Sequence, residues 1–225
     1  MGRHAGDRIV TGCLLAITFG TGVVDALSWI SLSGVFTANM SGNVLLVGIG
    51  AGGAQGADWF PALFALCWFL LGAGIAGRWT HRDGSEWTIR TTIVFAAVPV
   101  VLLLVAGFAM LWPPDRLSPA ALAAEAALAL AMGAQGATAV QLAVPGLVTV
   151  AVTTATVGVG ASLFLGGAAR GTGVLPRLSA IVLLAAGAFT GAMLAPLGVP
   201  PGLLVAAAVA AAAALVGDRF ARRRS

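Results

Sequence analysis

Charge is scarce in this chain, and lysine is absent altogether. Only 9% of the 225 residues are charged, and every basic residue is Arg, whereas a soluble domain carries about 25% charged residues. With 59% hydrophobic residues and a mean hydropathy of +1.00, that shortage excludes an ordinary soluble domain. At roughly 20 residues per membrane span, the chain reads as one integral membrane domain over 1–225, with no room for a soluble one. The two cysteines, Cys13 and Cys67, lie in apolar runs without CxxC or Cys/His spacing, which makes them small hydrophobes rather than metal ligands. Both histidines, His4 and His81, lie outside the apolar runs, and there is no HExxH, GxSxG or P-loop. Those absences argue against an intramembrane protease or metal hydrolase, and the expectation is a non-enzyme with no cofactor and no metal. The net charge of +4 and pI near 11.0 do not indicate nucleic acid, because the Arg residues are scattered without interleaved aromatics. They suit juxtamembrane contact with anionic lipid. Gly48–Gly53 and Gly72–Gly77 both satisfy GxGxxG, but neither sits in a strand–turn–helix context, so a dinucleotide site is excluded.

What remains is apolar sequence divided by short polar stretches. It predicts an all-α polytopic membrane helix bundle of about eight transmembrane helices, at 10–31, 35–53, 59–77, 91–112, 119–141, 146–167, 177–197 and 201–217. Six or seven spans with a re-entrant segment are the alternative, because Asn39, Gly42 and Asn43 could break the second span. The hydrophobic run after the basic start extends past Asp25, so it reads as an uncleaved first span rather than a signal peptide. Eight spans put both termini on one side, with nine Arg there (Arg3, Arg8, Arg116, Arg170, Arg177, Arg219, Arg222, Arg223, Arg224) against three opposite (Arg78, Arg82, Arg90). That asymmetry predicts cytoplasmic termini.

The stretch from Gly20 to Gly48 places polar and acidic residues inside membrane-grade sequence. Thr11, Thr18, Thr21, Asp25 and Ser28 share one face of the first helix. A carboxylate at Asp25 costs about 2.5–3.5 kcal/mol on insertion scales, so it should face the bundle interior or a watered cavity. No basic residue lies in any span to pair with it. A protonated Asp25 or a bound cation is therefore the expectation, with a structural carboxylate bonded to Asn or Thr neighbours as the alternative. Thr37, Asn39, Ser41 and Asn43 add uncharged donors and acceptors. Glu125, about six residues into the fifth span, is explained by a helix-dipole position, and Gln141 by interhelical hydrogen bonding.

The halves of the chain resemble one another. Gly22–Ala26 (GVVDA) aligns with Gly133–Ala137 (GAQGA), Thr37–Ser41 with Thr149–Thr153, and Gly72/Ala73 with Gly187/Ala188. These matches predict two four-helix half-repeats, 10–112 and 119–217, parallel because each half holds an even number of spans. They bring Gln135, Thr149 and Thr153 into register with the polar stretch of the first half. Gly72xxxAla76 and Gly187xxxGly191 are small-xxx-small patterns that permit close helix approach.

At LAITFGTGVVDALSWISLSGVFTANMSGN the sequence resembles the YoaK family of bacterial integral membrane proteins, a family of unknown function with a GxxDAxSxLxLGxVFxANMTGN signature. The likeness continues at AMGAQGATAVQLAVPGLVTVAVTTATVG, similar to that family's GxQNA motif and Thr-rich helix. Ser41 replaces the usual Thr, Gly136 replaces Asn, and Val150 and Thr154 depart from a TTxxTG pattern. The resemblance implies a multi-pass protein of the bacterial inner membrane and carries no established activity.

Together these features point to a small permease coupled to a proton or cation. Its solute path would be lined by Asp25, Thr21, Ser28, Thr37, Asn39, Ser41, Asn43, Gln135, Thr149 and Thr153. The alternatives are a non-transporting membrane scaffold, in which the same residues are helix glue, and a passive channel for a small neutral solute. The expected partners are the lipid bilayer, a small solute and H+ or a cation, without nucleic acid. The small-residue faces are compatible with a homodimer.

Overall fold

The computed structural model describes residues 2–54, 59–142, 152–164 and 174–222, with side chains for all of these except residues 2–7 and 161–164. Eight α-helices follow one another among the described residues: α1 Gly2–Ser31, α2 Met40–Ala51, α3 Trp59–Thr80, α4 Ile89–Leu111, α5 Pro119–Gln141, α6 Val152–Phe164, α7 Val174–Leu194 and α8 Val199–Arg222. A 3-10 turn, Ala195–Leu197, separates the last two. Local chemistry sets the boundaries. Thr88 and Ser118 cap α4 and α5 by accepting from the N–H of Thr91 and Ala121, which satisfies donors that have no partner inside the helix. Beyond α1, Gly34 adopts φ +69, and a β-carbon there would meet the Arg116 guanidinium.

Six helices, α1, α3, α4, α5, α7 and α8, are long and apolar enough to cross a membrane. Their outer surfaces are apolar too, with Leu104, Met110 and Phe189 about two-thirds exposed at 67–69%. The fold is therefore an all-α membrane helix bundle. The shorter helices differ: α2 has 12 residues, about 18 Å against a hydrocarbon core of ~30 Å. The straight span expected at 35–53 is thus replaced by a non-helical segment, residues 32–39, followed by a half-length helix.

Cross-helix contacts fix the directions. Thr21 meets Gln135 and Ser28 meets Glu125, so α1 and α5 are antiparallel. Gly72 faces Leu130, Gly133 faces Phe69, and Thr80 bonds Gln141, so α3 runs parallel to α5. Gly22 and Gly187 meet in the same way, and α7 runs parallel to α1. The start of α3 therefore lies at the end of the bundle where α1 finishes. Residues 32–54 form a re-entrant hairpin that dips in and returns to that side. In the second half α6 begins beside Asp25, and its Gly158 lies against Arg177 near the start of α7. It points toward the opposite end.

Each half thus holds three crossing helices and one short one. An odd number of crossings inverts the second half, so the parallel relation expected from four spans each gives way to an antiparallel one, with the relating axis in the membrane plane. The Arg distribution changes accordingly. Among the described residues Arg8, Arg78, Arg82, Arg90, Arg177, Arg219 and Arg222 lie at one end, here the basic end, and Arg116 at the hairpin end. Arg78, Arg82 and Arg90, expected opposite the termini, join them because α2 does not cross.

Two backbone-close crossings hold the halves together. A β-carbon on Gly72 would stand 2.0 Å from Leu130 O, and one on Gly133 2.0 Å from Phe69 O. At the other crossing the distances are 2.0 Å for Gly187 to Phe19 O and 2.2 Å for Gly22 to Leu184 O. In each case the opposing carbonyl belongs to the residue three before the facing glycine, so the two crossings share one geometry. The two largest apolar clusters among the described residues lie around them. One, at the hairpin end, includes Leu27, Leu102, Leu128 and Leu203. The other, at the basic end, includes Leu14, Trp87, Phe95 and Ala213.

Two outcomes are expected. Gly72→Val and Gly133→Val should each lose about 1–3 kcal/mol of stability through overpacking, read as a lower melting temperature in detergent, while Gly74→Val, whose site has nothing within 4 Å, should leave it unchanged. In a chain lacking Cys13 and Cys67, single cysteines at Ser85 and Arg219 should react with an impermeant maleimide from one side of the membrane, and a cysteine at Asp115 from the other. An eight-span path would instead put Asp115 and Arg219 together.

Candidate functional site

The hairpin brings irregular backbone to membrane depth, where each unpartnered polar group costs several kcal/mol. Side chains already singled out in the sequence supply the partners. Asp25 Oδ1 accepts three hydrogen bonds, from Thr37 N, Thr37 Oγ1 and Ala38 N, each at 2.8 Å. These amides lie just before α2, so the carboxylate also faces the positive end of that helix. Asn43 is fully buried and clamps one residue twice, accepting from Phe36 N at 2.9 Å and donating to Phe36 O at 2.6 Å. Ser28 Oγ contacts Val35 O at 2.7 Å and Glu125 Oε2 at 2.5 Å.

Beside these ties lies a cavity of about 230 Å³, lined by Thr21, Asp25, Asn39, Ser41, Thr153 and Leu184 among others. It sits where the starts of α2 and α6 converge on α1, between the two halves. Thr21, near the middle of α1, donates to Ile17 O and accepts from Gln135 Nε2 at 3.1 Å, which links the cavity wall to α5. A larger apolar cavity of about 440 Å³ shares Asp25, Asn39 and Leu184 and adds Trp29 and Phe36, whose rings stack 4.9 Å apart. The combined space offers one carboxylate, several uncharged donors and acceptors, and an aromatic wall. Among the described residues no cluster of His, Cys, Asp and Glu could hold a metal ion.

The ten residues expected on the path divide into groups. Asp25, Thr21, Asn39, Ser41 and Thr153 line the polar cavity. Asn39 and Ser41 are exposed to it and bond each other at 2.8 Å. Ser28, Thr37 and Asn43 are fully buried and tie the hairpin to the bundle instead of facing the cavity. Gln135 stands behind Thr21, and Thr149 lies outside the described residues. Sequence reasoning missed the pairing of Glu125 with Ser28. Glu125, ascribed to a helix-dipole position on the side of the termini, is fully buried and sits at the hairpin end. No local spacing could reveal a contact between residues 97 apart.

Comparison with known proteins adds a family. The family described as "Protein of unknown function (DUF1275)" matches residues 13–216. A relative from Bacillus subtilis (strain 168), the UPF0700 transmembrane protein YoaK, is 34% identical over 94 residues, which is 41% of each chain. The chain therefore spans about two-fifths of the length of that curated relative. No solved structure matches.

The hydrogen bonds on Asp25 separate two substitutions. Asp25→Asn keeps an acceptor oxygen for the Thr37 and Ala38 donors, so the protein should remain monodisperse and melt close to wild type. Asp25→Ala strands three donors and should destabilise by about 3 kcal/mol, seen as a marked drop in melting temperature.

Proposed function

Because the chain belongs to the YoaK family of transmembrane proteins (DUF1275), we propose that it is a small permease, not an enzyme, that moves a small solute through the cavity between its halves with coupling to a proton or cation at Asp25. One observation carries this reading: Asp25 lines the cavity and at the same time holds the hairpin through three hydrogen bonds. Charge-assisted bonds of this kind are roughly twice as strong as neutral ones. A proton or cation arriving at Asp25 neutralises the carboxylate, weakens its hold on Thr37 and Ala38, and so links ion occupancy to hairpin position. Short helices starting near the midplane at a repeat interface are the arrangement in which secondary transporters build their sites. The solute this space suits is small, with polar groups for Asn39, Ser41 and Thr153 and an apolar part for Trp29 and Phe36. The Arg-rich basic end faces the cytoplasm of a bacterial inner membrane by the positive-inside rule.

A second reading rests on the same bonds: a non-transporting scaffold in which Asp25 serves only to fasten the hairpin. The test is a proteoliposome assay with an internal pH dye, run on a panel of small solutes with wild type and Asp25→Asn. Solute-dependent proton movement in wild type, lost in a folded Asp25→Asn, is the expected result. Equal solute flux in both proteins would indicate a passive channel. No flux in either, together with the destabilisation of Asp25→Ala, would favour the scaffold.

A further inference from the structure

Ser28 contacts two oxygens, Val35 O at 2.7 Å and Glu125 Oε2 at 2.5 Å. Each separation requires a hydrogen between the oxygens. Ser28 has one hydroxyl proton and a carbonyl has none to give, so when that proton is donated to Val35 O a hydrogen in the Glu125 contact has to be the carboxyl's own. The surroundings agree. Glu125 and Ser28 are both fully buried, Glu125 Oε1 has no hydrogen-bond partner, and neither ion pair among the described residues includes Glu125. An ionised carboxylate left so poorly partnered would be very costly.

We propose that Glu125 is a proton-binding site, and that its bound proton latches the re-entrant hairpin by freeing Ser28 to donate to Val35 O. When the proton leaves, the Glu125 O–H bond breaks, its electron pair stays on the carboxylate, and the proton passes to water at the hairpin end. That end lies about six residues, or ~9 Å, along α5. Ser28 then turns its hydroxyl toward the carboxylate, and Val35 O loses its donor. The charged groups near Glu125 are Asp25 on α1 and, in the turn before α5, Asp115 and Arg116, the latter with its guanidinium beside Gly34. Among the described residues, the parts of α2, α3, α4, α7 and α8 at this end add none beyond the exposed thiol of Cys67. The site deepens the permease reading, on which its use in coupling rests. Asp25 holds the hairpin at residues 37–38 when ionised, and Glu125 holds it at residue 35 when protonated.

The test is amide hydrogen exchange of residues 33–38 in lipid nanodiscs across a pH series, with each rate corrected for intrinsic exchange. Wild-type protection should fall roughly fivefold as the pH rises, the weight of about one hydrogen bond. Glu125→Gln, whose amide can still donate to Ser28, should stay protected at every pH, and Ser28→Ala should be unprotected at every pH. Wild-type protection that ignores pH overturns the proposal, as does a pH response that survives Glu125→Gln or disappears only in Asp25→Asn. Should Glu125→Gln not fold, infrared spectroscopy of the Asp25→Asn chain decides. A protonated-carboxyl band that shifts on adding Ser28→Ala supports the site, and its absence refutes it. None of these readouts needs a solute, so a latch without flux would sink the permease alone, and flux without a pH-dependent latch would sink the latch alone.

Discussion

Everything distinctive in this structure follows from one requirement: the backbone of residues 32–39 lies inside the bundle without being helical, so each of its polar groups needs a partner there. Leu32 O accepts from Leu117 N, Gly34 N donates to Ser28 O, and Val35 O contacts Ser28 Oγ. Phe36 is held at both ends by Asn43, while Thr37 N and Ala38 N go to Asp25. The polar residues that interrupt the first two apolar runs are the ones that satisfy this segment. Asp25 and Ser28 lie three residues apart on α1, so one helix face serves Val35, Thr37 and Ala38.

This explains which parts of the molecule were legible in the sequence. Class and general architecture follow from hydropathy, because a lipid-facing surface must be apolar wherever it occurs. The importance of the Gly20–Gly48 stretch was legible too, since polar atoms in hydrocarbon need a reason. The destinations of those atoms were not. Asn43 and Asn39 look alike in the sequence, four residues apart, one in the first turn of α2 and the other just before it, yet one is fully buried against Phe36 and the other faces the cavity. The difference depends on how residues 32–39 fold back, and hydropathy carries no sign of it. Counting α2 as a crossing also reversed the direction of every later helix up to α6, which turned an inverted relation into a parallel one and misplaced Arg116 and Glu125.

Two carboxyl groups, Asp25 on α1 and Glu125 on α5, flank the hairpin in opposite states of use. Asp25 accepts from backbone and hydroxyl donors, which suits a negative charge, whereas Glu125 faces a hydroxyl already committed elsewhere, which suits a neutral acid. Placing them on either side of one irregular segment makes the segment's attachment depend on where protons sit. Residues with that consequence are rare in membrane interiors, and they are tolerated where the bundle has a use for them.

The glycine crossings carry a consequence for biosynthesis. Each pairs a helix of the first half with one of the second, α1 with α7 and α3 with α5. A chain emerging from the ribosome exposes its N-terminal portion first, so α1 enters the membrane with its closest contact surface vacant until the seventh helix has been made. During that interval the backbone groove at Phe19 and Gly22 is covered only by lipid or by whatever accompanies the nascent chain. Completion of the fold therefore waits on the synthesis of α7, and a product stalled or truncated before it would display that groove as an open mark of incompleteness.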